Sequence, residues 1–218
     1  MAKGDQIKIT NKKIKSNSSK KWLRRQLADP FVEKAKMAGF RSRAIFKLED
    51  MQEKFKLIGK NSSVLDLGCA PGSWLQLVVE LTKEKVMGVD LLEIPPISPA
   101  KIIKGDIVSD EVVIQIKDFF PSGVDVLLSD MAANTTGQKS TDHLRTINLC
   151  EKALFVADEL LKENGNMVMK FFDGALAAKF LQEVKNRFSF VRIYKPKASR
   201  AESSESYIVA IGRKPKPL

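Results

Sequence analysis

Alternation of short apolar runs with amphipathic segments is the feature that most restricts the fold of this chain. The apolar runs predict β-strands over 63–67, 85–89, 101–104, 124–129, 165–171, 188–194 and 206–211. The segments between them predict helices over 73–82, 109–119, 141–162 and 174–186. Asn164-Gly165 is predicted to end the third of these helices. Strands that alternate with helices predict an α/β fold with a doubly wound, mostly parallel sheet of seven strands.

The last two predicted strands depart from this alternation. The loop that joins 188–194 to 206–211 is too short for a crossover helix, so these strands should pair antiparallel. An antiparallel last strand begins at the edge where the parallel strands end. Ligands of open α/β sheets bind at that same edge, so residues from both sets should meet over one crevice.

Two helices are predicted before the first strand. The first begins at Ser18 or Ser19 and ends at about residue 28, where Asp29-Pro30 should stop it. The second runs over 42–56 and carries an apolar stripe on one face, with Lys47 beside that stripe.

Positive charge is concentrated at the start of the chain. Of the net charge of +11, the first 25 residues contribute +8, because they hold nine basic side chains and only Asp5 as an acid. We expect residues 1–17 to be a flexible basic arm and 18–218 to be a single domain. A basic arm on a nearly neutral domain favours a polyanionic partner such as nucleic acid, with a solubilising tail as the alternative.

The remaining composition bounds the setting of the protein. No apolar run approaches the roughly 20 residues that span a bilayer, and the lysine-rich start lacks the apolar core of a secretion signal. Cys69 and Cys150 form neither a disulfide framework nor a zinc cluster, so no metal site is predicted. We expect a cytoplasmic protein without membrane contact, with a monomer as the default state.

Ionisable residues lie at the predicted ligand-binding edge of the sheet. They are Asp66, Asp90, Asp106, Asp130 and Lys170 at or after the ends of parallel strands, and Glu205 at the start of the last strand. Six such groups on one edge indicate a functional site. For any single one of them, a capping or surface role remains an open alternative.

The loop after the first strand indicates which ligand this edge binds. Gly68 and Gly72 allow close approach to the backbone, but Pro71 removes an N–H donor and the G-x-G-x-x-G pattern of dinucleotide sites is missing. This disfavours a nicotinamide cofactor and suits a ligand without phosphates. Asp90, 24 residues after Asp66, is placed to accept hydrogen bonds from the ribose hydroxyls of an adenosine.

Two further residues complete the predicted cofactor site. Asp106 is assigned to the adenine edge and Trp74 to a wall of the site, with a core aromatic as the alternative for Trp74. Taken together, the loop and the two acids that follow it predict S-adenosylmethionine as the cofactor.

Several segments of the chain match a known family pattern. They are Arg41–Leu48, Asp66–Trp74, Ser129–Asn134, Val168–Phe172 and Glu205–Ala210. Over roughly 20–214 the sequence resembles the FtsJ-like family of ribosomal RNA large subunit 2′-O-methyltransferases, the bacterial E type. The resemblance implies a Rossmann-like S-adenosylmethionine methyltransferase fold for the domain. Ala133 and Ser73 depart from the family pattern, which usually has Pro and Gly there.

The most specific part of the resemblance is a tetrad formed by Lys47, Asp130, Lys170 and Glu205. The resemblance implies that Lys170 takes the proton of a ribose 2′-hydroxyl and that Lys47 is a neighbouring charge. Asp130 would orient Lys170 and border the methyl donor, and Glu205 would position Lys47 or the ribose. An ordinary salt bridge between Lys170 and Asp130 is the structural alternative.

The resemblance also implies a substrate, a uridine of the 23S rRNA in the assembled 50S particle. Basic residues within 3–25, with Lys195, Lys197 and Arg200, are expected to contact RNA phosphates.

Three other functions remain as alternatives. An RNA base methyltransferase is disfavoured because no Asp/Asn-Pro-Pro-Tyr run follows the fourth strand, and because the two cysteines are better interpreted as buried apolar residues. A non-enzymatic ribosome assembly factor is disfavoured by the complete tetrad. An oxidoreductase lacks its glycine pattern, and the sole histidine, His143, is expected near a helix start on the surface.

Overall fold

The structure, a computed structural model, describes residues 28–133, 136–201 and 203–216 of the chain. The strands are β1 (Val64–Leu67), β2 (Val86–Asp90), β3 (Lys101–Lys104), β4 (Val124–Ser129), β5 (Leu161–Phe172), β6 (Phe188–Tyr194) and β7 (Glu205–Arg213). The helices of the described ranges are α1 (Pro30–Met37), α2 (Ile45–Phe55), α3 (Ser73–Leu81), α4 (Asp110–Phe119), α5 (Lys139–Leu160) and α6 (Ala177–Arg187). The predicted arm over 1–17, the helix predicted to end near 28 and the basic side chains within 3–25 lie outside these ranges.

One sheet in the order β3-β2-β1-β4-β5-β7-β6 contains all seven strands. Strands β1 to β5 are parallel to one another, whereas β7 pairs antiparallel with both β5 and β6. The predicted α/β sheet with an antiparallel last strand is therefore confirmed. Strands β1 and β4 are neighbours, and the chain continues from β1 to β2 on one side and from β4 to β5 on the other. The connections after β1 and β4 therefore diverge, which leaves a crevice at the carboxyl ends of these two strands.

The centre of the sheet is buried on both faces. Along β1, Leu65 and Leu67 belong to one apolar cluster and Val64 to another, since successive side chains of a strand point to opposite faces. Helices α4, α5 and α6 contribute to the first cluster, and α2 and α3 to the second. Burial on both faces explains why the central strands have nearly continuous apolar sequences.

Asp29-Pro30 begins α1, and the helix predicted to end before this dipeptide lies outside the described residues. Asp29 is the N-cap of α1, and its Oδ1 accepts a hydrogen bond from the N–H of Phe31 at 3.1 Å. Pro30 occupies the first helical position, where its fixed φ fits and its missing N–H has no intrahelical partner to lose. An Asp-Pro dipeptide can follow the end of one helix and can also start the next, and here Asp29 and Pro30 start α1.

The predicted helix end at Asn164-Gly165 is wrong. Helix α5 ends at Leu160 and β5 begins at Leu161, so both residues lie inside the strand. Asn164 has a left-handed φ of 61°, and the register of β5 against β4 shifts between Leu161 and Asn166. A residue that tolerates the left-handed region ends helices and also forms strand irregularities, and here it does the latter.

His143 is buried, which contradicts the expected surface position. It lies in the first turns of α5, as predicted, but only 4% of the residue is exposed. Nδ1–H donates to the carbonyl of Phe172 at 2.9 Å, and Nε2 accepts from the N–H of Leu176 at 3.0 Å. A side chain at Gly174 would reach to 2.4 Å from the imidazole ring. His143 therefore anchors the segment that follows β5, through backbone partners that sequence does not reveal.

The helices of the described ranges include none long and apolar enough to cross a membrane.

Gly88 in β2 provides a test of the packing between the sheet and α3. A methyl group there would lie 2.6 Å from Leu75 Cδ1 and 2.8 Å from Cys69 Sγ, so Gly88→Ala should lower the free energy of unfolding by about 1–3 kcal/mol. Urea unfolding measures this change. The matched control is Gly59→Ala, where the nearest atom is Ser62 Oγ at 3.4 Å and stability should change by less than about 1 kcal/mol. Equal stabilities of the two variants would contradict the packing at Gly88.

Candidate active site

A cavity of about 290 Å³ opens where β1, β2, β3 and β4 end. Gly68, Asp90, Asp106 and Asp130 line it, one from the end of each of these strands. Four segments far apart in sequence thus meet at the crevice beside the β1–β4 pair, as the sheet topology requires. These are four of the residues predicted to bind the cofactor, and the structure brings them together.

Gly68 forms the floor of the cavity and has no room for a side chain. Its φ is 74°, and a Cβ atom would lie 2.6 Å from Cγ and 2.9 Å from Cα of Met131. Glycine is therefore required both for the backbone conformation and for the close approach of the segment after β4.

Asp90 is held rigidly at the cavity wall. Its Oδ2 accepts the N–H of Ala70 at 2.8 Å, and its Oδ1 accepts the N–H of Leu92 at 2.8 Å. A carboxylate oxygen has two lone pairs, so each oxygen can accept a second hydrogen bond from a ligand. Asp106 is exposed at the other side of the cavity, where its Oδ1 accepts from the N–H of Val108 at 3.2 Å.

Three of the predicted cofactor residues do not line this cavity. Trp74 is 2% exposed, packs against the ring of Tyr207 at 5.8 Å between centroids, and donates from Nε1 to the carbonyl of Ala44 at 2.8 Å. It is the core aromatic of the alternative interpretation and not a cavity wall. Gly72 lies in the same loop as Gly68 but does not line the cavity. A Cβ atom on Gly72 would lie 2.7 Å from Nη1 of Arg41.

Asp66 is the third residue outside the cavity, and its environment is unusual. It is 1% exposed, and neither carboxyl oxygen has a hydrogen-bond partner within the part of the chain that the structure describes. Burial, followed by the negative charges of Asp130 and Asp90, raises the pKa of Asp66 well above its ordinary value. A protonated, neutral carboxyl group behind the cavity is the state that this environment favours.

The predicted tetrad forms a connected cluster at the end of β4 and β5, next to the cavity. Lys170 Nζ lies 2.7 Å from Asp130 Oδ1 and 3.8 Å from Glu205 Oε2. Lys47 Nζ, which α2 brings over the sheet, lies 2.7 Å from Glu205 Oε1. Cationic and anionic groups therefore alternate along the cluster. Asp130 belongs to both the tetrad and the cavity, so it is the residue through which the two are in contact.

Tyr207 completes the cluster and was not among the predicted site residues. Its hydroxyl donates to Asp130 Oδ1 at 2.7 Å and accepts from Lys47 Nζ at 3.2 Å. In the sheet, Tyr207 of β7 lies directly opposite Lys170 of β5. Side chains two residues apart on a strand share a face, so the position of Glu205 in the sequence already placed Tyr207 beside it. The two-residue alternation of side chains along the last strand was therefore the sequence signal that could have identified Tyr207 as a site residue.

The local charges set the protonation of two members of the cluster. Burial alone would raise the pKa of Asp130, but the ammonium groups of Lys170 and Lys47, with hydrogen bonds from Lys170 and Tyr207, hold that pKa below its ordinary value. Burial and the nearby carboxylates of Asp130 and Glu205 raise the pKa of Tyr207 well above its ordinary value. Asp130 is therefore an anion and Tyr207 a neutral donor at neutral pH.

A second, smaller cavity lies on the far side of the tetrad. It has a volume of about 200 Å³, and its lining includes Lys47, Glu205, Arg43 and Arg200. Asp29 pairs with both arginines, with Arg200 Nε 3.2 Å from its Oδ2. Members of the tetrad thus line both cavities, with Asp130 in the first and Lys47 and Glu205 in the second, which is basic.

The two departures from the family pattern have different surroundings. Ser73 begins α3 and is buried, and its hydroxyl lies 2.8 Å from that of Ser42, just before α2. Ala133 is partly exposed beside an open depression that Leu144 and Leu149 of α5 also line. Neither substitution disturbs the contacts of the tetrad.

The thiols are not placed for chemistry on a substrate. Cys69 and Cys150 are buried, as predicted, and burial raises the pKa of both thiols, that of Cys150 to about 12. A reactive thiolate at either position is therefore strongly disfavoured.

An open α/β sheet with a cavity at its switch point and a charged cluster beside it is the arrangement of a Rossmann-like ligand-binding domain. The profile of the FtsJ-like methyltransferases matches residues 40–213, and the chain belongs to this family. The chain is 48% identical to the ribosomal RNA large subunit methyltransferase E of Acidiphilium cryptum (strain JF-5), over 91% of this chain and 88% of that protein.

Other similar proteins bear related names. The ribosomal RNA large subunit methyltransferase E of Rickettsia akari (strain Hartford) is 43% identical over 95% of both chains. The crystal structure of a Plasmodium falciparum protein described as a ribosomal RNA methyltransferase superposes with a TM-score of 0.72 at 28% identity. That superposition covers 80% of this chain and 98% of the other. The resemblance inferred from the sequence segments is confirmed.

Replacing Asp66 tests its predicted protonation. A raised pKa in the folded state means that the stability contribution of Asp66 is fully present below its unfolded pKa of about 3.9 and is lost as the pH rises through the folded value. Asp66→Asn cannot titrate, so its stability relative to the wild type should increase between about pH 4 and pH 7. Urea unfolding across this range measures the difference.

The control for this experiment is Asp118→Asn, which removes an exposed carboxylate from α4 and should change stability by at most about 0.5 kcal/mol. If the stabilities of wild type and Asp66→Asn changed in parallel with pH, Asp66 would not be protonated in the folded protein.

Proposed function

We propose that this protein transfers a methyl group from S-adenosylmethionine to a ribose 2′-hydroxyl of RNA, a uridine in the 23S rRNA of the large ribosomal subunit in the cytoplasm. The observation that supports this most strongly is the position of Lys170. Its amine bridges the carboxylates of Asp130 and Glu205, and Asp130 also lines the cofactor cavity. This position supports a role for Lys170 as the base between the proposed donor and acceptor sites.

The cavity residues fit S-adenosylmethionine. Gly68 lines the cavity with bare backbone packed against Met131, and the fixed carboxylate of Asp90 is suited to the vicinal hydroxyls of a ribose. Asp106 would accept from the exocyclic amine of adenine. Acidic groups at Asp90, Asp106 and Asp130 favour a ligand with a sulfonium cation over one with phosphates. When bound, this cofactor supplies an electrophilic methyl group.

The tetrad residues divide the remaining work. To act as the base, Lys170 must first release the proton of its ammonium group to solvent. Its neutral amine then accepts the proton of the 2′-hydroxyl, because a ribose hydroxyl is a weak nucleophile until that proton is removed. Asp130, fixed by Tyr207, holds the amine of Lys170 at the border of the donor cavity. Glu205 holds Lys47 through both carboxylate oxygens, at 2.7 and 2.8 Å, and Ser199 donates to Glu205 Oε1 at 3.0 Å. These contacts support a positioning role for Glu205 toward Lys47.

The basic cavity beyond the tetrad is suited to the RNA backbone. Arg200 lines it, and Lys197 is 83% exposed nearby in sequence, so both are proposed phosphate contacts. Lys195 is less suited, because its Nζ donates to the carbonyls of Ala201 and Ser203 at 3.2 and 2.8 Å. The basic residues within 3–25 are proposed to extend this surface. The names of the related methyltransferases support ribosomal RNA of the large subunit as the substrate.

The proposal is tested by incubating the protein with labelled S-adenosylmethionine and unmodified bacterial large subunits. The RNA is then hydrolysed in alkali and the products are separated. We expect label in alkali-resistant dinucleotides, because 2′-O-methylation protects the adjacent phosphodiester. Label only in mononucleotides would indicate a base methyltransferase. Cofactor binding without any transfer would contradict the proposed substrate, and absence of cofactor binding would favour a non-enzymatic assembly factor.

The role of Lys170 is tested by Lys170→Met, which keeps the length of the side chain and removes the amine. We expect the rate of methyl transfer to fall by about 100- to 10,000-fold, while calorimetry shows retained cofactor binding. The control is Lys179→Met, an exposed position of α6, which should leave the rate unchanged. A Lys170→Met rate within a few-fold of the wild type would exclude Lys170 as the base.

A further inference from the structure

Arg41 lies just before α2 and joins two segments that border the cofactor cavity. Its Nη1 donates to the carbonyls of Pro71 at 3.0 Å and Pro95 at 2.8 Å, and its Nη2 donates to the carbonyl of Pro96 at 3.0 Å. Three backbone acceptors around one guanidinium form a specific site for a planar, multiply donating group.

These acceptors flank the residues that line the cofactor cavity. Pro71 follows Ala70, whose N–H is bonded to Asp90, and Pro95 and Pro96 follow the cavity residue Leu92 at a distance of a few residues. The guanidinium therefore fixes the loop after β1 against the loop after β2, which are the two walls on either side of Asp90.

Gly72 shows how closely Arg41 is fitted into this place. A Cβ atom on Gly72 would lie 2.7 Å from Arg41 Nη1 and 2.7 Å from Ile97 Cδ1. The glycine is thus needed to admit the guanidinium, whereas Gly68 is needed at the cavity itself. This gives the second glycine of the loop a role distinct from ligand contact.

The backbone around Arg41 is anchored to the same region. The N–H of Arg41 donates to Gln76 Oε1 at 2.8 Å, and Gln76 Nε2 donates to the carbonyl of Gly39 at 3.2 Å. Gln76 lies in α3, which starts immediately after the glycine loop. The main chain of Arg41 therefore contacts α3, and its side chain contacts the loops after β1 and β2.

We propose that Arg41 is a positioning residue for the methyl donor: its guanidinium holds the two loops that form the walls of the cofactor site. The inference rests on the proposed function, since the ligand concerned is S-adenosylmethionine. Three of the five guanidinium hydrogens are used by carbonyls of the two loops, so we assign Arg41 to cofactor affinity and not to RNA phosphates, in spite of its place in a basic segment with Arg43.

The test compares Arg41→Gln and Arg41→Lys with the wild type. Neither variant can donate to three carbonyls from one planar group, so the dissociation constant for S-adenosylmethionine by calorimetry should rise about tenfold in Arg41→Gln, with Arg41→Lys between it and the wild type. In the transfer assay, KM for the cofactor should rise while kcat at saturating cofactor stays within about threefold. Thermal unfolding followed by circular dichroism shows whether each variant is folded, and Arg41→Lys keeps the test valid if Arg41→Gln is not.

Binding to unmodified large subunits, measured at several salt concentrations, separates the two possible roles. The matched control is Arg192→Gln, which removes one exposed positive charge from β6. The Arg41 variants should bind the subunits as Arg192→Gln does. A larger loss of subunit affinity in the Arg41 variants, with a salt dependence reduced by about one phosphate contact, would overturn the inference. An unchanged cofactor dissociation constant in folded Arg41→Gln would also overturn it.

The outcomes for Arg41 are separable from failure of the proposed function. Calorimetry with S-adenosylmethionine does not require the RNA substrate to be correct. If the wild type binds the cofactor and methylates no large subunit, the proposed substrate fails while the cofactor measurements on Arg41 remain decisive.

Discussion

The ion pair between Lys170 and Asp130 is the interaction on which the arrangement of the active site depends. Removing two charges from water costs several kcal/mol per ion, so such a pair persists only when its remaining donors and acceptors are satisfied. Here Tyr207 donates to Asp130, and Glu205 places a second carboxylate 3.8 Å from the amine of Lys170. Lys47 then compensates Glu205. Each member of the cluster is thus required by the charge of its neighbour.

This cluster links elements that the chain itself separates widely. Lys47 comes from α2, Asp130 follows β4, Lys170 lies in β5, and Glu205 and Tyr207 lie in β7. Only a sheet that places β7 directly beside β5, in the opposite direction, brings the start of β7 to the carboxyl end of β5. The antiparallel strand is therefore required for the cluster to form as well as being a feature of the topology.

Sequence was sufficient where periodicity and strand order determine position. The strands, the helices of the α/β part and the meeting of Asp90, Asp106, Asp130 and Lys170 at one edge follow from patterns that tertiary packing reinforces. The tetrad was assigned from family resemblance, and the structure brings its members together.

Prediction failed where a residue type serves two opposite purposes. Asn164 lies within a strand and does not end a helix, because the same dihedral preferences suit both uses. His143 and Arg41 bond to backbone carbonyls or amides of distant loops, and backbone partners leave no mark in a sequence. For Trp74 the sequence left a ligand wall and a core aromatic open, and its burial against Tyr207 favours the core.

The interior position of β7 has a consequence for how the protein becomes active during synthesis. β7 is the last strand of the sheet in chain order, yet it lies between β5 and β6 and supplies Glu205 and Tyr207. A nascent chain that has emerged only through β6 has an unpaired edge at β5 and no complete cluster. Because β6 pairs only with β7, both strands join the sheet together, when β7 pairs with β5. Completion of the sheet and completion of the cluster are therefore the same late event.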